Sequence, residues 1–473
     1  MKKSILTIFI ITAFFSCKDN KNKDEIKEIP EEAMVFSPIS TSDMENAIIY
    51  EANIRQYSPE GTFQEFTKDI PQLKTLGVKI IWLMPVFPIS ETKRKATGGT
   101  DSKFASDFPE EEQAKYLGSY YAVSDFTKIN PEFGTIEDFR ALVRTAHDNG
   151  IYVILDWVPN HTGWDHEWIK NHPEYYTQNE AGEIIHPEGT DWTDVADLNY
   201  DNQHMRKEMI DDMLYWITQE DVDGFRCDVA GSVPMNFWEK AIPTLRNKKD
   251  IFMLAEAWEP ELLKENLFDM AYGWEGHHLM NDMAKGEKNI KDFDTYIQKV
   301  SKDYASDDIL MNFITNHDEN SWNGTIKERM SDKKDLFTAL YYTMPGMPLI
   351  YSGQEYDLDH RLKFFEKDSI PKSKGNYFDL LRRLGELKNT NDALNGGKNA
   401  ASFKLIESKE HILMFSRSKN GNTVYFVGNF SDDADNISMP EGTFKDFMSE
   451  EKIELNGDAF KIEPWEYKIL IQQ

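Results

Sequence analysis

Cysteine is nearly absent: 473 residues hold two, Cys17 and Cys227. No disulfide framework can therefore be expected. The chain also lacks a phosphate-binding glycine fingerprint, an HExxH motif and any CxxC pair, so nucleotide, zincin and zinc-ribbon readings have no support. Positive charge is scarce, with 53 Lys and Arg against 82 Asp and Glu and a net charge of −29. That balance argues against phosphate backbones as partners and so excludes nucleic acid. It suits a neutral substrate and a soluble, self-repelling surface. The apolar stretch from Ile5 to Phe15 is too short to span a bilayer as a stable helix. With Lys2 and Lys3 before it, it reads as the core of a signal peptide.

What is present is a globular composition, 40% hydrophobic and 13% aromatic, in a chain long enough for one large domain and a smaller one. From residue 47 the sequence punctuates itself. "FQEFTKDIPQLKTLG" carries Phe63, Phe66, Ile70, Leu73 and Leu76 at helical spacing and stops at Gly77. The apolar run "VKIIWLMPV" follows. "IEDFRALVRTAHDNG" leads in the same way to "IYVILDWVPN", and "MRKEMIDDMLYWITQEDVDG" to "GFRCDVAG". Further buried-strand candidates are "AIIYEANI", "IFMLAEAW", "FDMAYG", "ILMNFITNHD" and "MPLIYSGQE". Eight such units fit either a doubly wound sheet or a (β/α)8 TIM barrel. The missing glycine fingerprint and polar residues at the strands' C-terminal ends favour the barrel, whose active sites lie on that rim.

The rim also explains why "GFRCDVAG" places Arg226 and Asp228 two apart. In a strand both point to one face, while Phe225, Cys227 and Val229 take the other. "EAW" brings Glu256 to the same mouth, "NHD" brings His317 and Asp318, and "DWVPNH" brings Asp156, Asn160 and His161. A single carboxylate at a strand end is often only a helix cap. Convergence from four strands indicates a pocket with acid chemistry.

At this point the chain resembles the alpha-amylase family of glycoside hydrolases (glycoside hydrolase family 13). "DWVPNH", "GFRCDVA", "EAW" and "NHD" stand in the order of its main motifs, and "GVKIIWLMPVFP", "VADLNY" and "GMPLIYSGQE" match secondary ones. The resemblance covers roughly residues 44–473. It implies Asp228 as nucleophile, Glu256 as general acid/base and Asp318 as transition-state stabiliser. It further implies Tyr121, His161, Arg226 and His317 as substrate-binding residues. The expected activity is retaining cleavage of α-glucosidic bonds in starch- or glycogen-type glucans or maltooligosaccharides. An α-1,6-acting glucosidase or a transglycosidase on the same scaffold is the alternative, and a non-catalytic glycan-binding lipoprotein would be expected to lack one of the three acids. Arg226 is expected to keep Asp228 ionised, while nearby carboxylates favour a protonated Glu256.

The resemblance also implies a structural Ca2+ at Asn160 and Asp197. Against this, the nucleophile is followed by "VAGSV" and not by the Lys-His pair of typical alpha-amylases. Val229 itself is more usual in α-1,6-acting branches. The stretch "ATGGTDSKFASDFPEEEQAKY", residues 96–116, is absent from relatives that run directly from "RK" to "LGS"; it is either a surface loop or a lip narrowing the cleft.

The expected organisation is a signal peptide at 1–16, a polar tether at 17–43 and a catalytic barrel at 44–392. An inserted domain occupies 161–204 after strand three, and a C-terminal antiparallel β-sandwich occupies 393–473. "FFSC" resembles a bacterial lipoprotein cleavage box, with Cys17 as the lipidated first residue of the mature chain. Membrane attachment is then through lipid alone, in the cell envelope of a Gram-negative bacterium. Loss of Lys2 and Lys3 on cleavage takes the net charge from −29 to −31.

Overall fold

The computed structural model describes residues 36–406, 410–457 and 459–473; the signal peptide, Cys17 and most of the tether lie outside them. Residues 37–473 form one compact unit. The tether was expected to reach residue 43. Ile39 is already buried, however, and Ser40 caps the helix Thr41–Glu45 through a reciprocal capping box with Asp43. Among the described residues no helix is long and apolar enough to cross a membrane.

Eight parallel strands close a barrel. They are β1 (Ile49–Ala52), β2 (Ile80–Leu83) and β3 (Tyr152–Trp157); then, beyond a ribbon of β4 (His161–Gly163) and β5 (Val195–Asp197), β6 (Gly224–Cys227), β7 (Phe252–Ala255), β8 (Met270–Tyr272), β9 (Ile309–Asn312) and β10 (Met347–Tyr351). Each barrel strand pairs with its neighbour in that order, and β10 returns to β1. All eight are buried along their whole length. Continuous apolar runs are what a sheet covered on both faces requires. The helices around it take their boundaries from local chemistry. Ile136–Asp148 starts at Thr135, which shares a capping box with Asp138, and stops before Gly150 at φ +76°.

One helix differs from its pattern. "FQEFTKDIPQLKTLG" forms two short helices, Phe63–Thr67 and Ile70–Thr75. Pro71 sits in the first turn of the second, where its missing N–H costs nothing, and could not sit inside a continuous helix without breaking it. The apolar positions still face the core, with Phe63, Phe66, Ile70, Leu73 and Leu76 all fully buried.

After the helix Asn376–Thr390 the chain builds an antiparallel domain. Its strands are β11 (Ser402–Ile406), β12 (Ile412–Lys419), β13 (Asn422–Asn429), β14 (Asp435–Ser438), β15 (Gly442–Asp446), β16 (Lys452–Leu455), β17 (Ala459–Ile462) and β18 (Tyr467–Gln472). Six form one sheet, while β14 and β17 form a separate pair. Ile437 and Ile462 of that pair pack with Phe444, Leu470 and Met414 of the larger sheet. β17 and β18 are separate strands because Pro464 and Trp465 (φ +56°) interrupt the ladder between them.

Candidate active site

Arg226 is the hub. Its side chain is fully buried inside the barrel, with Asp156 of β3 beside it in register. Nη1 donates to Asp156 Oδ1 at 2.6 Å and to Asp228 Oδ1 at 3.0 Å, and Nη2 lies 2.7 Å from Glu256 Oε2. Nε donates to the Tyr272 hydroxyl at 3.2 Å, and the guanidinium lies 4.9 Å from the Trp82 ring centre. One fixed cation thus holds three carboxyls from three strands, using the fork geometry that only arginine offers.

The strand itself ends at Cys227. Val229 does not continue the alternation expected of it: it adopts the left-handed region at φ +38° and ψ +46°, a strained choice for a β-branched residue. The turn aims the Val229 N–H at Glu256 Oε2, 2.8 Å away. Glu256 Oε2 therefore accepts from the Val229 N–H and pairs in charge with Arg226. At the other end of β6, Gly224 at φ +148° lies so close to β7 that a Cβ would stand 1.9 Å from the Phe252 carbonyl oxygen. No other residue fits that start.

The fourth acid arrives with a histidine. His317 Nδ1 lies 2.5 Å from Glu51 Oε1, and Nε2 lies 2.8 Å from the Tyr121 hydroxyl and 3.4 Å from Asp318 Oδ2. Tyr121 in turn donates to Asp156 Oδ2 at 3.1 Å, as does Trp82 Nε1. Burial works against the His317 imidazolium, but Asp318 and Glu51 outweigh it and push it up to about 9. It is therefore charged at neutral pH, with both ring nitrogens donating.

Five carboxyls, Glu51, Asp156, Asp228, Glu256 and Asp318, surround two cations, Arg226 and His317. Burial pushes Asp156 up to about 6, against Arg226 and His317. Burial also raises Asp228 well above the usual carboxylate range; Arg226 opposes this, while Glu256, Asp156 and Asp318 add to it. Burial raises Asp318 as well, against the pull of His317. The expectation that Arg226 simply fixes Asp228 as an anion is thus incomplete. Burial and the neighbouring acids oppose the ionisation that Arg226 favours at Asp228.

Asp228, Glu256, Asp318, Tyr121, His161 and His317 all line one cavity of about 390 Å³. Arg226 lies beneath it. His161 is buried against Trp192, with ring centres 5.6 Å apart, and burial lowers its imidazole to about 3. It is neutral, with one donor and one acceptor nitrogen for a hydroxyl-rich ligand.

Asn160 and Asp197 are brought near each other, since β4 and β5 pair His161 with Asp197 and Leu198 N–H donates to the Asn160 carbonyl. The Asn160 amide lies 3.3 Å from His161 Nδ1. The pair supplies one carboxylate and one amide, where calcium takes about 6–8 oxygens. Among the described residues no group of three or more His, Cys, Asp or Glu side chains is placed to hold a metal. These two side chains alone supply only part of the oxygen shell that the expected ion takes.

Several groups that shape the site were not singled out in the sequence. Glu51 and Tyr272 sit inside strand-like runs, Trp192 and Phe364 come from loops, and Trp322 comes from the π-helical turn Glu319–Asn323. Only the carboxylate within "IIYEA" carried a signal, as a charge in an otherwise buried strand.

A closed barrel with acids gathered at one mouth is the architecture of a glycoside hydrolase. The family description "Alpha amylase, catalytic domain" matches residues 18–192 and 189–376, and the chain belongs to that family. It is similar to Alpha-amylase 3 of Dictyoglomus thermophilum, 25% identical over 405 residues, 76% of this chain and 70% of that protein. It is also similar to a 4-alpha-glucanotransferase of Thermotoga neapolitana, 29% identical over 337 residues, 62% and 67% of the two chains. Its structure resembles an alpha-amylase from Lactobacillus plantarum with a TM-score of 0.79 and 28% identity, over 90% of this chain and 99% of that one.

Proposed function

We propose that the protein cleaves α-glucosidic bonds in starch- or glycogen-type glucans or maltooligosaccharides with retention of configuration. The carrying observation is that one guanidinium holds Asp228 and Glu256 on its adjacent Nη1 and Nη2 nitrogens, at 3.0 and 2.7 Å. Such a tether favours the close carboxyl pair of double displacement, about 5–5.5 Å, over the wider pair of inverting enzymes, about 6.5–9.5 Å.

In this reading Asp228 attacks the anomeric carbon and forms a glycosyl ester while Glu256 protonates the departing oxygen. Glu256 then takes a proton from water, which hydrolyses the ester. Asp318 faces the positive charge developing on the sugar ring. The His317 imidazolium and the Tyr121 hydroxyl position the same ring, and neutral His161 hydrogen-bonds its hydroxyls. Arg226 draws charge from Asp228 without contacting substrate.

Incubation with maltoheptaose, panose and pullulan, followed by product separation, tests the substrate class. Release of shorter α-glucans is expected, and no change in any of the three would reject it. A sugar hydroxyl could replace water at the second step, as the likeness to a glucanotransferase invites; added acceptor would then give longer products. The lipoprotein resemblance of "FFSC" supports attachment through Cys17 to a Gram-negative envelope. Cys17→Ala should move the protein from the detergent phase to the aqueous phase.

A further inference from the structure

The segment 93–118 after β2 is built as a cross-piece and not as a loose loop. Its two arms pair through Lys95 and Phe104, with Ala96 N–H donating to the Lys103 carbonyl and Ala105 N–H to the Arg94 carbonyl. Ala96, Ala105 and Tyr116 are buried in a small core of their own, against Phe108. A hairpin that only extended into solvent would have no need of one.

Both ends of the cross-piece are fastened, and to two separate segments that line the catalytic cavity. On one side Lys95, 4% exposed, donates to the Asp191 carbonyl and lies 3.7 Å from the Asp194 carboxylate, both in the stretch leading into β5. Burying a lysine costs free energy unless it is paired, so this contact is specified. On the other side Leu117 N–H donates to the Phe365 carbonyl at 2.7 Å, Tyr116 bridges to Glu366, and Lys115 lies 3.3 Å from the Glu366 carboxylate. Between these anchors Gly98 lies against the Trp322 ring, where a Cβ would stand 2.8 Å from Cη2. Lys95, Gly98 and Gly99 face the same cavity as Asp228 and Glu256.

We propose that this cross-piece closes one side of the cleft and makes the protein selective for short α-glucans and chain ends over the interior of long polymers. Its 390 Å³ volume is at the low end of ligand sites, about 300–1,000 Å³. With two segments of its lining joined by the cross-piece, one side of the cleft is shut to a polymer. The inference rests on the glucan-cleaving reading above.

The test compares kcat/KM on maltotriose and on amylose for wild type, for a variant with 96–116 replaced by a Gly-Ser linker, and for Gly98→Leu. The leucine must displace either the cross-piece or the Trp322 ring, and it keeps the test informative if the shortened chain does not fold. The amylose-to-maltotriose ratio should rise about tenfold in the shortened chain, at the low end of what shape-selective pockets achieve. It should shift in the same direction, by less, in Gly98→Leu. Unchanged ratios in folded variants that still cleave maltotriose would overturn the cross-piece while leaving the glucan reading intact. A wild type inert on both substrates would instead overturn the glucan reading.

Discussion

Asp223 and Asp228 stand at the two ends of β6, both buried, and the barrel treats them in opposite ways. At the lower end Asp223 is held by the fold: Oδ2 accepts from Val153 N–H at 2.8 Å and meets His147 Nε2 at 2.7 Å, and Oδ1 lies 2.8 Å from Lys249 Nζ as an ion pair. At the upper end Asp228 accepts one 3.0 Å bond from Arg226, which it shares with Asp156, and it faces a cavity among other acids. The lower carboxylate spends its hydrogen-bonding capacity on the fold. The upper one is left short of partners, and a group in that state is available to a substrate.

The comparison predicts a double dissociation. Asp228→Asn should abolish turnover, since an amide can neither form nor release a glycosyl ester, and should leave stability equal or higher by relieving like-charge crowding. Asp223→Asn should cost about 3 kcal/mol of unfolding free energy, because it strips the charged partner from the largely buried Lys249, while kcat per folded molecule holds. Urea titration and active-site-normalised rates measure both. If Asp228→Asn destabilised as much as Asp223→Asn, the contrast between the two ends would fail.

A smaller but sharper effect separates the two upper carboxyls. Glu256→Gln should lose about 10²–10⁴-fold on maltooligosaccharides, where the leaving oxygen needs a proton. With an α-glucosyl fluoride, whose leaving group needs little protonation, burst-phase fluoride release should persist. Equal losses on both substrates would assign Glu256 a different role.

The most gradual expected effect is a pH dependence. His317 is raised from 6.5 to about 9 in the folded protein. A raised folded value means that its stabilisation is complete below about pH 6.5 and is lost as pH rises through 9, up to roughly 3 kcal/mol. Unfolding free energies at pH 6 and pH 10 should therefore fall further in wild type than in His317→Gln. Parallel profiles would show that the Glu51–His317–Asp318 chain holds no extra proton.

Much of this architecture was legible in the sequence, for physical reasons that also mark where legibility stopped. Parallel barrel strands are buried on both faces, so "VKIIWL" and "IYVILDW" stand out as unbroken apolar runs, and their polar ends locate the rim. Alternation along β6 put Arg226 and Asp228 on one face at the barrel mouth; Asp228 does line the cavity, whereas Arg226, expected to bind substrate, is fully buried and outside the lining. The same rule misplaced Val229, because the turn that carries its N–H to Glu256 is imposed by the site and not by valine's own preference. Glu51 was not singled out, since its partner His317 lies 266 residues away. In the C-terminal domain β11, β14 and β16 are part-exposed and mixed in character, which leaves no apolar run to read. The Lys95 anchor was invisible, as its partners Asp191 and Asp194 come from a stretch with no periodicity.

The central claim is that Asp228 and Glu256 act as a retaining pair, and proton NMR of the first products of maltoheptaose cleavage tests it most directly. Double displacement predicts that the newly formed reducing end appears first as the α-anomer and relaxes later to the equilibrium mixture. Initial release of the β-anomer would contradict the account, because it would require water to attack the sugar directly, with neither carboxylate bonded to it.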